Sequence, residues 1–294
     1  MLLASFAFAF MGLCIKLASS QFSVAETVFY RSIVALLFMQ LYINRNGLSL
    51  KTAQWRAQLF RSGIGCIAMM TYFTAISLIH LDTAVTLNYT SPLFMALILR
   101  IWFREPATRY DTLLLLIGFI GVALLLQPAF GNQPPAGLLT GLMAGFLFSL
   151  AGLGVRQLGK LGEAEWRTVY FFSLICTVAG LVWVLAGSGF HAVDRRGLWL
   201  ILGMGGSGLV AQSAMTCAFK LGKTLLVANL QYTTVMFASL FGFLILGEVL
   251  SLPAWIGAIL IISSNVLMSA IPMLIKRLKG TNNTPLPITN KAEV

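Results

Sequence analysis

The sequence predicts an all-α integral membrane protein of ten transmembrane helices, arranged as two inverted five-helix repeats. Three observations carry that prediction. Of 294 residues, 58% are hydrophobic and only 10% charged, whereas a soluble domain carries roughly 25% charged residues. The apolar residues gather into ten runs, each near the ~20 residues that cross a hydrocarbon layer of about 30 Å. A stretch of the first half also recurs, in register, in the second.

The runs cover 2–19, 26–43, 62–79, 83–103, 112–128, 137–155, 167–187, 198–218, 225–246 and 254–274. The first could pass for a signal peptide, but it lacks a basic leader and the chain proceeds directly into further runs, so it reads as a retained span. Asn44-Arg45-Asn46-Gly47, Gln127-Pro128, Gln133-Pro134-Pro135 and Ser251-Leu252-Pro253 mark turns between runs. Long runs without alternation mean helices, because a bilayer admits only helices or closed barrels. The expected organisation is a first repeat over 1–130, a second over 131–275 and a polar cytoplasmic tail over 276–294. The four cysteines, Cys14, Cys66, Cys176 and Cys217, all lie within apolar runs without metal-ligand spacing, and read as small buried hydrophobes.

The net charge of +11 is a topology signal. One set of alternate loops, with the tail, holds Arg45, Lys51, Arg56, Arg61, Arg100, Arg104, Arg109, Arg156, Lys160, Arg167, Lys220, Lys223, Lys276, Arg277, Lys279 and Lys291. The other set holds Arg195 and Arg196, and Lys16 and Arg31 fall within spans. The positive-inside rule then places both termini in the cytoplasm of a bacterial inner membrane, which requires an even number of crossings. No nucleic-acid partner is implied.

Residues 63–105 align without a gap to 206–248, with identities that include Leu87/Leu230, Tyr89/Tyr232, Thr90/Thr233, Phe94/Phe237, Leu97/Leu240 and Glu105/Glu248. The first span matches the sixth through Ala4/Ala144, Phe6/Phe146, Phe8/Phe148, Gly12/Gly152 and Leu13/Leu153. Five spans per half is an odd number, so the second half enters from the opposite face. Secondary transporters follow this inverted plan and place their substrate near the midplane between the halves.

The context of Arg31 (ETVFYRS), the stretch NYTSPLFMAL leading to Arg104-Glu105, and its echo QYTTVMF leading to Gly247-Glu248 resemble the EamA family of the drug/metabolite transporter superfamily. The resemblance spans about 4–270. It implies a five-plus-five inverted repeat working by alternating access, often as an exporter of amino acids or related metabolites. Two departures stand out: Val235 occupies the position of Pro92, and Gly247 that of Arg104.

The candidate substrate-binding residues follow from polarity within spans. Arg31 sits about 7 Å below Glu26 along its helix, where a guanidinium needs a cavity or partners. It binds a substrate carboxylate or phosphate, or else holds helix ends together. Thr86, Asn88, Tyr89, Ser91 and Pro92 on the fourth span, with Asn229, Gln231, Tyr232 and Thr234 on the ninth, form a possible shared polar patch. The competing reading is simple interhelical hydrogen bonding, worth about 0.6 kcal/mol per contact. Pro92 can kink its helix. Tyr72 and Gln212, on the third and eighth spans, are weaker candidates. Lys16 reads as snorkelling, Glu105 and Glu248 as hairpin-fixing acids, and Phe6, Phe8 and Phe10 as lipid- or helix-facing. Glycines at 203, 205, 206 and 208 and the Gly141/Gly145 pair permit close helix approach.

Gly222-Lys223-Thr224 resembles the end of a phosphate-binding loop, but the required first glycine is Cys217. No metal cluster, hydrolase motif or cofactor motif appears, so a non-enzyme without a cofactor is expected. Its partners are a small-molecule substrate and the lipid bilayer; a homodimer is compatible with this plan. The functional expectation is a secondary transporter exporting amino acids or similar amphipathic metabolites. The alternatives are a vitamin or nucleotide-like cofactor transporter working inward, and a membrane-embedded enzyme or channel.

Overall fold

The computed structural model describes residues 1–104, 108–127, 133–187, 189–247 and 251–280. Glu105, Pro128 and Glu248 fall outside the described residues. The first half contains α1 (Leu2–Ala18), α2 (Val24–Arg45), α3 (Trp55–Leu78), α4 (Leu81–Asn88), α5 (Ser91–Ile101) and α6 (Arg109–Leu126). The second contains α7 (Pro135–Lys160), α8 (Glu165–Ala186), α9 (Arg195–Leu221), α10 (Thr224–Leu230), α11 (Thr233–Leu246) and α12 (Leu252–Gly280).

Twelve helices make ten spans, because α4 and α5 are two pieces of one span, as are α10 and α11. Among the described residues nine spans are long and apolar enough to cross a membrane, and α1 is a shorter apolar helix. The backbone of α12 remains helical to Gly280, past the point where composition turns polar.

Polar side chains mark where helices start. Ser23 caps α2 in a reciprocal box with Glu26, and Thr108 does the same for α6 with Asp111. Asp194 accepts from the Gly197 N–H at the start of α9.

The packing has two-fold pseudosymmetry. α1 lies on α9 while α7 lies on α3; α2 lies on α8, and α6 on α12. Exchanging the halves turns the first pair into the second and each of the others into itself. With five spans per half, the axis of that exchange runs in the membrane plane. At the closest point of the α6–α12 contact the backbones meet directly: a Cβ on Gly121 would stand 2.8 Å from the Gly257 carbonyl, and one on Gly257 would stand 2.5 Å from that of Gly121. Small residues allow this approach in lipid, where helices gain little from burying apolar surface against each other.

Candidate functional site between the two broken helices

Each break falls at the recurring Leu-x-Tyr-Thr. The Thr90 hydroxyl donates to the Leu87 carbonyl at 2.6 Å, and the Thr233 hydroxyl to the Leu230 carbonyl at 2.7 Å. A carbonyl at a helix end has lost its usual amide partner, and threonine replaces it locally. The neighbouring helices treat the two breaks differently. On α7, a Cβ at Gly145 would stand 2.5 Å from the Thr90 hydroxyl oxygen and 2.8 Å from the Leu87 carbonyl, so α7 can come this close only with glycine there. The corresponding residue of α1 is Ser5, whose hydroxyl donates to the Leu230 carbonyl at 3.2 Å.

Pro92 occupies the first turn of α5, where its missing N–H leaves nothing unpaired. The kink expected there is a complete break at Tyr89-Thr90. The second break, at Gln231-Tyr232, forms without proline. It is held by three-residue turns in which the Tyr232 N–H donates to Asn229 at 3.0 Å and the Val235 N–H to Tyr232 at 3.1 Å.

The two breaks face each other, with the Tyr89 and Tyr232 rings 6.3 Å apart. Their surroundings differ. Tyr232 is fully buried in the cluster that joins α6, α11 and α12, and its hydroxyl has no hydrogen-bond partner. Tyr89 is half-buried, next to Thr234 of α11 and the hydroxyl of Tyr72. Tyr72 meets Phe148 of α7 edge-on at 6.3 Å. The structure thus brings Tyr72, Tyr89, Tyr232 and Thr234 into one neighbourhood between the halves.

The other sequence candidates scatter around it. Asn229 is fully buried, donating to Ser264 of α12 at 3.5 Å while its Oδ1 goes unpartnered. Asn88 Oδ1 is likewise buried and unpartnered. Thr86, Ser91 and Pro92 are buried, and Gln231 is half-buried at the end of α10. Gln212 is buried on α9, and among the described residues no hydrogen bond or ring contact joins it to the tyrosines. Arg31 is half-buried on α2 and lies apart from them, one turn beyond Val28, which packs with Cys66 and Cys176.

Three features were not among the sequence candidates. Ser264 and Asn265 on α12 add buried polar groups behind Asn229. Cys66 of α3 and Cys176 of α8 adjoin across the two halves. Arg61 corrects an assignment: it is not part of a basic loop but the seventh residue of α3, 3% exposed, with its guanidinium over the Phe172 ring at 4.5 Å. Its place near a helix start resembles a flanking charge in sequence, and only packing by α7 and α8 buries it.

Polar contacts tie the halves together at both faces. On the basic face, the Glu163 carboxylate accepts from the Thr52 hydroxyl, from Gln58 at 3.1 Å and from Arg167 at 2.9 Å. Burial alone would raise the Glu163 carboxyl, but the bonds from Thr52, Arg167 and Gln58 hold it below its ordinary value. Lys220 pairs with Glu165 at 2.8 Å. A cavity of about 610 Å³ opens on this face, and its walls include Arg156, Lys160, Lys220 and Lys223 against Asp111. On the opposite face, Glu26 bonds to His191 and Gln21 to Asp194. Among the described residues no group of three His, Cys, Asp or Glu side chains is placed to hold a metal ion.

Comparison with known proteins decides the family. The model of the EamA-like transporter family matches residues 1–127 and again 135–270. The chain belongs to the EamA-like transporter family. An uncharacterised transporter of Helicobacter pylori is 29% identical over 287 residues, covering 95% of both chains. The pseudopaline exporter of Pseudomonas aeruginosa is 28% identical over 268 residues, covering 91% of this EamA-like transporter and 93% of the exporter. A riboflavin transporter of Vibrio cholerae is 27% identical over 270 residues, covering 90% and 89%. One solved crystal structure superimposes with a TM-score of 0.79 at 18% identity, over 92% of this chain and 97% of the other, and supports the ten-span fold. The recognition of the family from Arg31, NYTSPLFMAL and QYTTVMF holds.

Proposed function

We propose that this EamA-like transporter exports amino acids or similar small amphipathic metabolites across a bacterial inner membrane, by alternating access about the cavity between its halves. The observation that carries the proposal is the pair of facing helix breaks at Tyr89-Thr90 and Gln231-Tyr232. Irregular backbone at membrane depth is tolerated where it lines a cavity or is enclosed by protein, and discontinuous helices build the midplane sites of secondary transporters. Tyr72, Tyr89 and Thr234 offer hydroxyls and aromatic faces to an amphipathic molecule, and Arg31 offers a cation for its carboxylate. The basic face, taken as cytoplasmic with both termini, bears the cationic cavity from which an exported acid enters. The similarity to an exporter supports the direction.

A second reading is transport of a vitamin or nucleotide-like cofactor, inward. It is favoured by the edge-on Tyr72–Phe148 pair, on which a flat ring could stack, and by the similarity to riboflavin transporters.

The test is uptake and efflux by purified protein in liposomes, against a panel of amino acids, nucleosides and vitamins, with and without a proton gradient. Amino-acid efflux is the expected outcome, and riboflavin-type uptake would select the second reading. Movement of none of the panel would overturn both. Arg31→Ala is expected to abolish transport and Arg31→Lys to retain part of it.

A further inference from the structure

We propose that Arg61 is a second anchor for substrate charge, working with Arg31 on a substrate that carries two acidic groups, such as a dicarboxylate or an acidic amino-acid derivative. The inference rests on the transport reading and narrows its substrate class.

α2 and α3 run in opposite directions. At 1.5 Å per residue, Arg31 lies ~10 Å in from one end of its helix and Arg61 ~9 Å in from the opposite face, while Cys176 lies ~16 Å along α8, near its middle. Both nevertheless reach the same cluster: Arg31 lies one turn beyond Val28, which packs with Cys66, Phe172 and Cys176, and the Arg61 guanidinium lies over the Phe172 ring at 4.5 Å. One cation therefore approaches the midplane from each side, and the two converge on the buried cluster of Val28, Cys66, Phe172 and Cys176 that joins α2, α3 and α8.

Arg61 lacks the partners that a buried cation requires. Its Nε and Nη1 are buried without a hydrogen-bond acceptor. The Phe172 ring beneath it returns about 0.5–2 kcal/mol, against a penalty of about 3 kcal/mol or more for a charged side chain at membrane depth. The protein has made room for this side chain: a Cβ at Gly154 of α7 would stand 3.0 Å from its Cγ. Among the described residues, the titratable groups that face Arg31 are the Cys66 and Cys176 thiols, and the one that faces Arg61 is the Cys176 thiol. Among the described residues no carboxylate forms an ion pair with either arginine. A monoanion would compensate one guanidinium and leave the other desolvated and alone, whereas a dianion compensates both. The cavity on the basic face, with four cations to one aspartate in its walls, concentrates such anions at that face.

The experiment measures thermal stabilisation of the detergent-purified full chain by dicarboxylates from succinate to suberate, against monocarboxylates of equal length. At least one dicarboxylate is expected to act at a concentration ten-fold or more below that of its monocarboxylate. Arg61→Gln is expected to shrink that preference below two-fold, and Arg61→Lys to keep most of it. Equal action of the two series, no stabilisation by any dicarboxylate, or an undiminished preference in Arg61→Gln would each overturn the proposal. Should Arg61→Gln fail to fold, Phe172→Leu, which removes only the supporting ring, is expected to weaken the dicarboxylate several-fold more than the monocarboxylate; equal effects on both would sink the idea. Binding is read without transport. A retained dicarboxylate preference with no movement of the liposome panel would therefore fail the transport reading alone, and efflux with no preference would fail this inference alone.

Discussion

The Glu26 carboxylate of the first half accepts from the backbone N–H of His191 in the second half at 2.6 Å, and its other oxygen lies 2.7 Å from the His191 ring Nδ1. Glu26 is fully buried while His191 is half exposed. The capping carboxylate of α2 therefore also clasps the loop before α9, on the face opposite the basic loops. Glu26→Gln keeps the volume but turns one acceptor into a donor facing N–H groups. It is expected to destabilise the protein by about 2 kcal/mol, the scale of a hydrogen bond to a charged group. An unchanged thermal midpoint in detergent would show that this clasp contributes nothing.

The two threonines at the breaks should not respond alike. Thr90→Val removes the shorter of two bonds to the Leu87 carbonyl, leaving the Thr90 N–H at 3.1 Å, and is expected to cost about 1 kcal/mol. Thr233→Val should cost less, because Ser5 still donates to Leu230; its full effect should appear only when combined with Ser5→Ala. A denaturation series on the three variants and the double variant checks this, and simple additivity of Thr233→Val and Ser5→Ala would contradict it.

Glycine substitutions separate tight from open packing. A Cβ at Gly118 would meet the Tyr232 ring at 2.7 Å and Asn229 Oδ1 at 2.8 Å, whereas one at Gly206 would meet nothing within 4 Å. Gly118→Ala is expected to lose about 1–3 kcal/mol by overpacking, and Gly206→Ala to be neutral or slightly stabilising. Equal stability of the two variants would be the wrong outcome.

Acid should loosen the basic face first at Glu163. Its carboxyl is held below its ordinary value in the folded protein, so its contribution is present above the unfolded-state value and disappears as pH falls through the depressed one. Glu163→Gln should thus be less stable than the wild type near pH 7, with the gap closing in strong acid. Thermal midpoints measured across the acid range give the answer, and a gap that widens towards low pH would reverse the sign.

The ten spans and their inversion were legible because lipid leaves the sequence few alternatives: apolar runs, charge-biased loops and a repeated motif all point the same way. The motif held more than homology. Leu87, Tyr89 and Thr90, with their counterparts Leu230, Tyr232 and Thr233, are the residues that build the breaks. Pro92 drew attention to one break, whereas Val235 concealed the other, whose turns leave no mark in composition. Arg61 was misread because a charge six residues into a helix looks like a flank until Phe172, far along the chain, is laid under it. Ser264 and Asn265 were hidden in a run read for its hydropathy alone. Periodicity reports which residues avoid water, and it is silent about which of them meet.

The Gly121–Gly257 crossing has a mechanical consequence. At that point the axes are too close for any side chain, while Leu115, Val122 and Ile261 interlock around it, so α6 and α12 are pinned at their crossing angle. The Tyr232 ring, seated against Gly118 one turn along α6, obstructs gliding along the helix axes. The seam thus resists both a change of crossing angle and a change of register between the halves.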